Sequence, residues 1–114
     1  MVDVNKIVRD ILKRIDGVTV TFYHPGTFNK LPVISYYELT TTTGFCADNA
    51  EQGQDSNVCI DIWGNSGAKC SDIAVLVDKE MQSAGWYRSF SRDMAPEDEV
   101  YHKTMRYRKD IYFE

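Results

Sequence analysis

The stretch that most limits how this chain can fold is Val58-Cys59-Ile60-Asp61-Ile62-Trp63-Gly64, followed directly by the run from Ser66 to Gly85. In the first piece Val58, Ile60 and Ile62 share one parity and Cys59, Asp61 and Trp63 the other, which is the period of a strand. In the second, Cys70, Ile73, Ala74, Val77, Met81 and Ala84 recur at helical spacing and form a single apolar stripe. Asn65 or Ser66 can cap its start and Gly85 can stop it. A strand whose apolar face meets such a stripe is the smallest two-layer core, and the rest of the chain reads as extending or covering it.

A second helix is expected from about Asp3 to Asp16. Val4, Ile7, Val8, Ile11, Leu12 and Ile15 form its apolar side, Asp3 its N-cap and Gly17 its left-handed stop. Docking of this basic amphipathic helix on the core is favoured over a membrane surface. Val18 to Tyr23 alternates as a strand rich in β-branched residues and ends at His24-Pro25-Gly26. A further strand starts at Pro32 and runs through Val33-Ile34-Ser35-Tyr36-Tyr37-Glu38-Leu39 into Thr40 to Thr43.

From Gly44 to Asn57 the chain turns polar and acidic, which predicts the solvated tip of a long hairpin. After the central helix, strands are expected from Trp86 to about Met94 and from Tyr101 to Phe113, joined by the turn Ala95-Pro96-Glu97-Asp98-Glu99. The order is therefore α-β-β-β-α-β-β. Short connections favour antiparallel neighbours. The expected fold is α+β: two layers, a mainly antiparallel sheet of four or five strands, and both helices packed on one face, as one domain over residues 1–114.

Charge and composition narrow the function. A net charge of -4 argues against bulk nucleic-acid binding, which calls for a basic stripe. No apolar run approaches the ~18 residues of a membrane span, and the amino-terminal residues lack signal-peptide organisation, so a cytoplasmic protein is expected. Cys46, Cys59 and Cys70 are odd in number and form no C-x-x-C pair, which predicts reduced thiols.

No catalytic constellation emerges. His24, His102 and the cysteines lack metal-site spacing. Asp48, Glu51, Asp55 and Asp61 miss the calcium-loop register. Gly64-Asn65-Ser66-Gly67 lacks the phosphate-loop pattern and reads as a tight turn. A nucleophile elbow is absent, and Glu97, Asp98 and Glu99 read as turn residues. No enzyme activity, cofactor or metal is therefore expected.

His102, Lys103, Arg106, Arg108 and Lys109 interleave with Tyr101, Tyr107 and Tyr112, a pattern that can bind single-stranded nucleic acid. Nearby acidic residues favour pairing within or between subunits instead. Tyrosine and arginine are enriched at protein interfaces, and Tyr36, Tyr37, Arg106 and Arg108 are the candidate interface residues.

Taken in order, the chain resembles the small tail-terminator (tail-completion, head–tail joining) proteins of long-tailed bacteriophages and prophages. The resemblance rests on the amphipathic first helix, Tyr23-His24-Pro25-Gly26, Leu31-Pro32-Val33-Ile34-Ser35-Tyr36-Tyr37-Glu38, the polar insert, Val58 to Trp63, and the closing Tyr101-His102-Lys103 strand. These motifs are packing signatures. The resemblance implies a hexameric ring of this subunit at the head-proximal end of the virion tail, bound to the tail tube protein and the head–tail connector. It implies no catalytic residues, and DNA would pass through the ring without specific binding. An acidic hairpin bearing Asp48, Glu51 and Asp55 is expected to face the lumen or tail tube and repel DNA within about a Debye length, ~8–10 Å. Deleting Ala47 to Asp55 is expected to leave the fold intact and to abolish tail joining. The alternative is a small cytoplasmic binding module that uses its sheet face, with single-stranded nucleic acid as one ligand.

Overall fold

The computed structural model describes residues 1–44, 46–47 and 50–113. Helix α1 (Val4–Leu12) leads to β1 (Thr19–Phe22) and β2 (Val33–Thr43). The short pair β3 (Cys46–Ala47) and β4 (Ala50–Glu51) precedes β5 (Gly53–Gly64). Helix α2 (Gly67–Ser83), β6 (Tyr87–Glu97) and β7 (Val100–Tyr112) follow. Five strands form one sheet in the order β1-β2-β5-β7-β6, and β3 and β4 form a separate ribbon. The expected α+β, mostly antiparallel fold is the observed one.

Strand β5 lies at the centre, with β2 on one side and β7 on the other, both antiparallel. Val58, Ile60 and Ile62 face the helices and are almost fully buried. They meet Cys70, Ile73, Ala74, Val77 and Met81 of α2 and Val4, Val8, Ile11 and Leu12 of α1 in one core. Both caps work as the sequence suggests. Lys6 N–H donates to Asp3 Oδ1 at 3.3 Å and Lys69 N–H to Ser66 Oγ at 3.1 Å, satisfying amides that the first turn leaves open. Gly85, at φ 88°, turns the chain out of α2.

Three expectations need correction. Helix α1 stops at Leu12, one turn short of Asp16. Arg14 N–H bonds to Ile11 O and Ile15 N–H to Leu12 O, so the chain tightens into i→i−3 turns that still bury Ile15.

The β1–β2 pair is parallel, with Thr19 beside Val33 and Phe22 beside Tyr36. After Phe22 the chain turns at Tyr23, at φ 68°, and residues 24–31 carry it back before β2 begins. On the way His24 and Phe28 pack against Trp63, on the sheet face opposite the helices. That contact anchors the crossover that a parallel pair requires.

Most of the polar stretch before Val58 is sheet. Gly53 to Asn57 belongs to β5, and Gln54 to Asn57 pair with Thr43 to Thr40. The reason lies in two buried polar side chains, Gln54 and Ser56. Gln54 accepts from Val2 N–H at 2.8 Å and donates to Val2 O at 3.2 Å and to Ser56 Oγ at 2.9 Å. Both polar atoms of the Gln54 amide have partners there, which offsets the cost of burying them. A deletion from Ala47 to Asp55 would therefore cut into the central strand, which begins at Gly53.

The strands outrun the helices. Helix α2 has 17 residues, about 25 Å at 1.5 Å each. Strand β7 has 13, about 40 Å at 3.3 Å each. The molecule is accordingly long, 54 × 22 × 21 Å.

Candidate functional site

In the middle and at the end of β5, Cys59, Asp61 and Trp63 face away from the helices. Register places them in cross-strand rows: Val33–Trp63–His102–Met94, Ser35–Asp61–Thr104–Arg92, and Tyr37–Cys59–Arg106–Phe90. This open face is polar but closely connected. The rings of Trp63 and His102 stack at 3.7 Å and 13°. Trp63 Nε1–H donates to Ser35 Oγ at 3.1 Å, and His102 Nε2 lies 2.7 Å from Asp61 Oδ1. Phe28 and His24 close over Trp63 at 5.0 and 5.1 Å between ring centres. A cleft of about 280 Å³ opens beside this cluster, lined by His24, Phe28, Trp63, His102, Val100 and the β6–β7 turn with Glu97 and Asp98.

Next along β5, Cys59 Sγ lies 3.4 Å from Thr104 Oγ1 and 3.7 Å from Asp61 Oδ2. Burial pushes the Cys59 thiol up, and the nearby Asp61 carboxylate adds to the effect, so the sulfur stays protonated at neutral pH. Tyr37 is pushed up to about 12, first by its hydrogen bond with the Cys59 side chain and then by burial. A nucleophile needs a base within reach of its proton. Here Asp61 stands between Cys59 and His102, so the histidine is matched to the carboxylate and not to the sulfur. With the Nε2 edge of His102 committed to Asp61, Nδ1 is its remaining polar atom. The arrangement holds aromatic planes rigidly, which suits binding more than bond-making. Among the described residues no group of three or more His, Cys, Asp and Glu comes together to hold a metal ion.

The sequence-derived candidates scatter. Asp48 lies outside the described residues. Glu51 is exposed on β4, in the ribbon next to Gly53. Asp55 sits within β5, where Arg108 grips its carboxylate at 2.8 and 3.0 Å. That pairing offsets the charge on which repulsion of DNA would depend. Tyr36 points into the helix-side core and is buried, which removes it from any surface for a neighbouring subunit. Tyr37 is half-buried on the open face, and Tyr23 packs against it at 4.8 Å. Arg106 is exposed, with its guanidinium 5.1 Å above the Phe90 ring. Arg108 is exposed but engaged by Asp55.

Strand β6 supplies the other functional surface. Among the described residues it pairs only with β7, and every one of its 11 residues is exposed. Its register shifts between Arg88 and Phe90 and again between Met94 and Glu97, which leaves Phe90 to Met94 as the regular stretch.

Sequence reasoning placed His24 and His102 in unrelated contexts and did not join them to Trp63. One signal was available: an acid and a tryptophan at alternate positions of an otherwise apolar strand put both on one face with no apolar partner. Compared with known proteins, the chain matches no family model and no curated sequence.

Proposed function

We propose that this chain is a structural assembly subunit, of tail-terminator type, that joins copies of itself and neighbouring proteins through its sheet edges. The observation that carries this reading is β6, an 11-residue edge strand that is exposed throughout. A row of unpaired backbone donors and acceptors is a template for another strand. The two register shifts in β6 restrict pairing to the short segment Phe90–Met94, which favours one defined neighbour over indiscriminate stacking.

The far edge of the sheet is β1, four residues long, and a contact between β6 of one copy and β1 of the next would be head-to-tail. Head-to-tail contacts close into rings when the rotation allows. The exposed side chains along β6, Tyr87, Phe90 and Met94, provide apolar contact area next to the arginines Arg88 and Arg92. In this reading the partners are the tail tube and the head connector, the location is the head-proximal end of the virion tail, and the ring is hexameric.

The experiment is native mass spectrometry over a concentration series, with and without isolated tail tubes. A single closed oligomer, or capture of the chain on tube ends, is the expected result. A chain that stays monomeric at all concentrations and is not retained on tubes refutes the reading. A single-strand-binding module is less well supported: Lys103 and Arg108 of β7 are already paired with Asp93 and Asp55.

A further inference from the structure

The cleft between the β6–β7 turn and Trp63 has a chemistry that strand assembly does not use. Four aromatic rings wall it: Trp63 and His102 in a parallel stack, Phe28 tilted at 40° to Trp63, and His24 edge-on to both Trp63 and Phe28. Each nitrogen-bearing ring is tethered. Trp63 bonds to Ser35, His102 to Asp61, and His24 Nδ1 lies 2.7 Å from Pro25 O. The walls are therefore set before anything binds, which lowers the entropic cost of binding.

The rim carries charge of one sign. Glu97 and Asp98 line the cleft and Glu99 follows in the turn. None of the three carboxylates forms an ion pair with a described residue, although five other carboxylates do with Arg or Lys. Asp98 and Glu99 both hold positive φ, 50° and 65°, in a turn type that usually calls on glycine or asparagine.

We propose that this cleft binds an arginine side chain presented by a partner protein. Aromatic faces attract a cation within about 6 Å of the ring centre. Unpaired carboxylates at the mouth add a charge-assisted contact, and a guanidinium can stack on a ring while its edge meets a carboxylate. The cleft lies just below the ~300 Å³ floor of drug-sized pockets, so it suits one long side chain and not a large cofactor. Lysine would meet the same charge but not the planar stack.

This site does not depend on the assembly reading, because the cleft is complete within one chain. The test uses the full chain labelled with ¹⁵N, which has two tryptophans. Trp63 lines the cleft, whereas Trp86 is buried on the helix side and serves as an internal control. The probe is Nα-acetyl-arginine amide, and the neutral citrulline amide is its uncharged counterpart.

The expected result is a saturable shift of the Trp63 indole signal with a Kd of about 1–10 mM, and no shift of Trp86. The citrulline amide should bind at least about fivefold more weakly, and the double variant Glu97→Gln, Asp98→Asn should weaken the arginine amide by a similar factor. Both substituted side chains are exposed, so an unchanged Trp86 signal reports that the fold persists. No Trp63 shift up to about 50 mM would overturn the proposal. So would equal binding of the citrulline amide, undiminished binding by the double variant, or equal shifts of both indoles.

Discussion

Replacing Gln54 by Ala tests whether the polar hairpin is part of the folded core or an appendage to it. The Gln54 side chain is 1% exposed and makes three hydrogen bonds, two to the Val2 backbone and one to Ser56 Oγ. Neutral hydrogen bonds contribute about 1 kcal/mol each, and a buried group left without a partner costs about 1–3 kcal/mol. Ser56 keeps Thr41 Oγ1 at 3.3 Å, and Val2 regains water once the amino-terminal residues lift away. These recoveries trim the loss to about 2–3 kcal/mol, a sizeable share of the ~5–15 kcal/mol typical of a domain. In urea unfolding the midpoint should fall with the slope unchanged. Amide exchange at Val2, whose N–H donates to Gln54 Oε1, should quicken. Thr43→Ala, at the exposed register partner of Gln54, should stay within about 0.5 kcal/mol of the parent. A Gln54→Ala protein that also stays within about 0.5 kcal/mol would show that the clasp does not hold the arm, and the reasoning from burial to strand formation would fail.

Ile60→Ala removes a fully buried side chain at the centre of β5 and should cost about 3–4 kcal/mol in the same urea assay, because it leaves a cavity in the core that the sheet shares with the helices. Gly53→Ala should cost more than about 1 kcal/mol or shift the end of β7, since its Cβ would stand 2.7 Å from Ile111 O; heteronuclear NMR of the Ile111 and Tyr112 amides checks this. Alkaline pH should destabilise the fold. Tyr37, Tyr36, Tyr107 and Cys59 all hold their protons more tightly when folded, Tyr107 chiefly through burial and its bond to Asp78. The unfolded chain then binds fewer protons above about pH 9–10, so stability is complete below that range and falls as pH rises through the folded values. Urea midpoints between about pH 8 and 11 should show this decline, and Tyr37→Phe should make it shallower.

How much of this was legible in the sequence follows from where each signal is stored. Val58, Ile60 and Ile62 and the stripe from Cys70 to Met81 obey one local period each, and a local period can be read without knowing the partner. The same holds for Asp3 and Ser66, which cap amides three residues away. The parallel β1–β2 pair was not legible. Its direction is set by His24 and Phe28 reaching Trp63, more than thirty residues on, and nothing near His24 announces that contact. The arm was hidden for a related reason. Gln54 and Ser56 look like loop residues, and they become core residues only because Val2 and Thr41 supply their hydrogen-bond partners. Tyr36 and Tyr37 show the remaining gap: they are adjacent and chemically identical, yet alternation buries one under α1 and leaves the other beside Cys59. Their parity could be counted, but which face the helices cover could not be read from the tyrosines themselves. Ile34, two residues before Tyr36, shared its parity and was the surer guide, because an aliphatic side chain has no polar end to satisfy. Reading the strand outward from Ile34 would have assigned Tyr36 to the core and freed Tyr37, Asp61 and Trp63 for the opposite face, where the cleft is found.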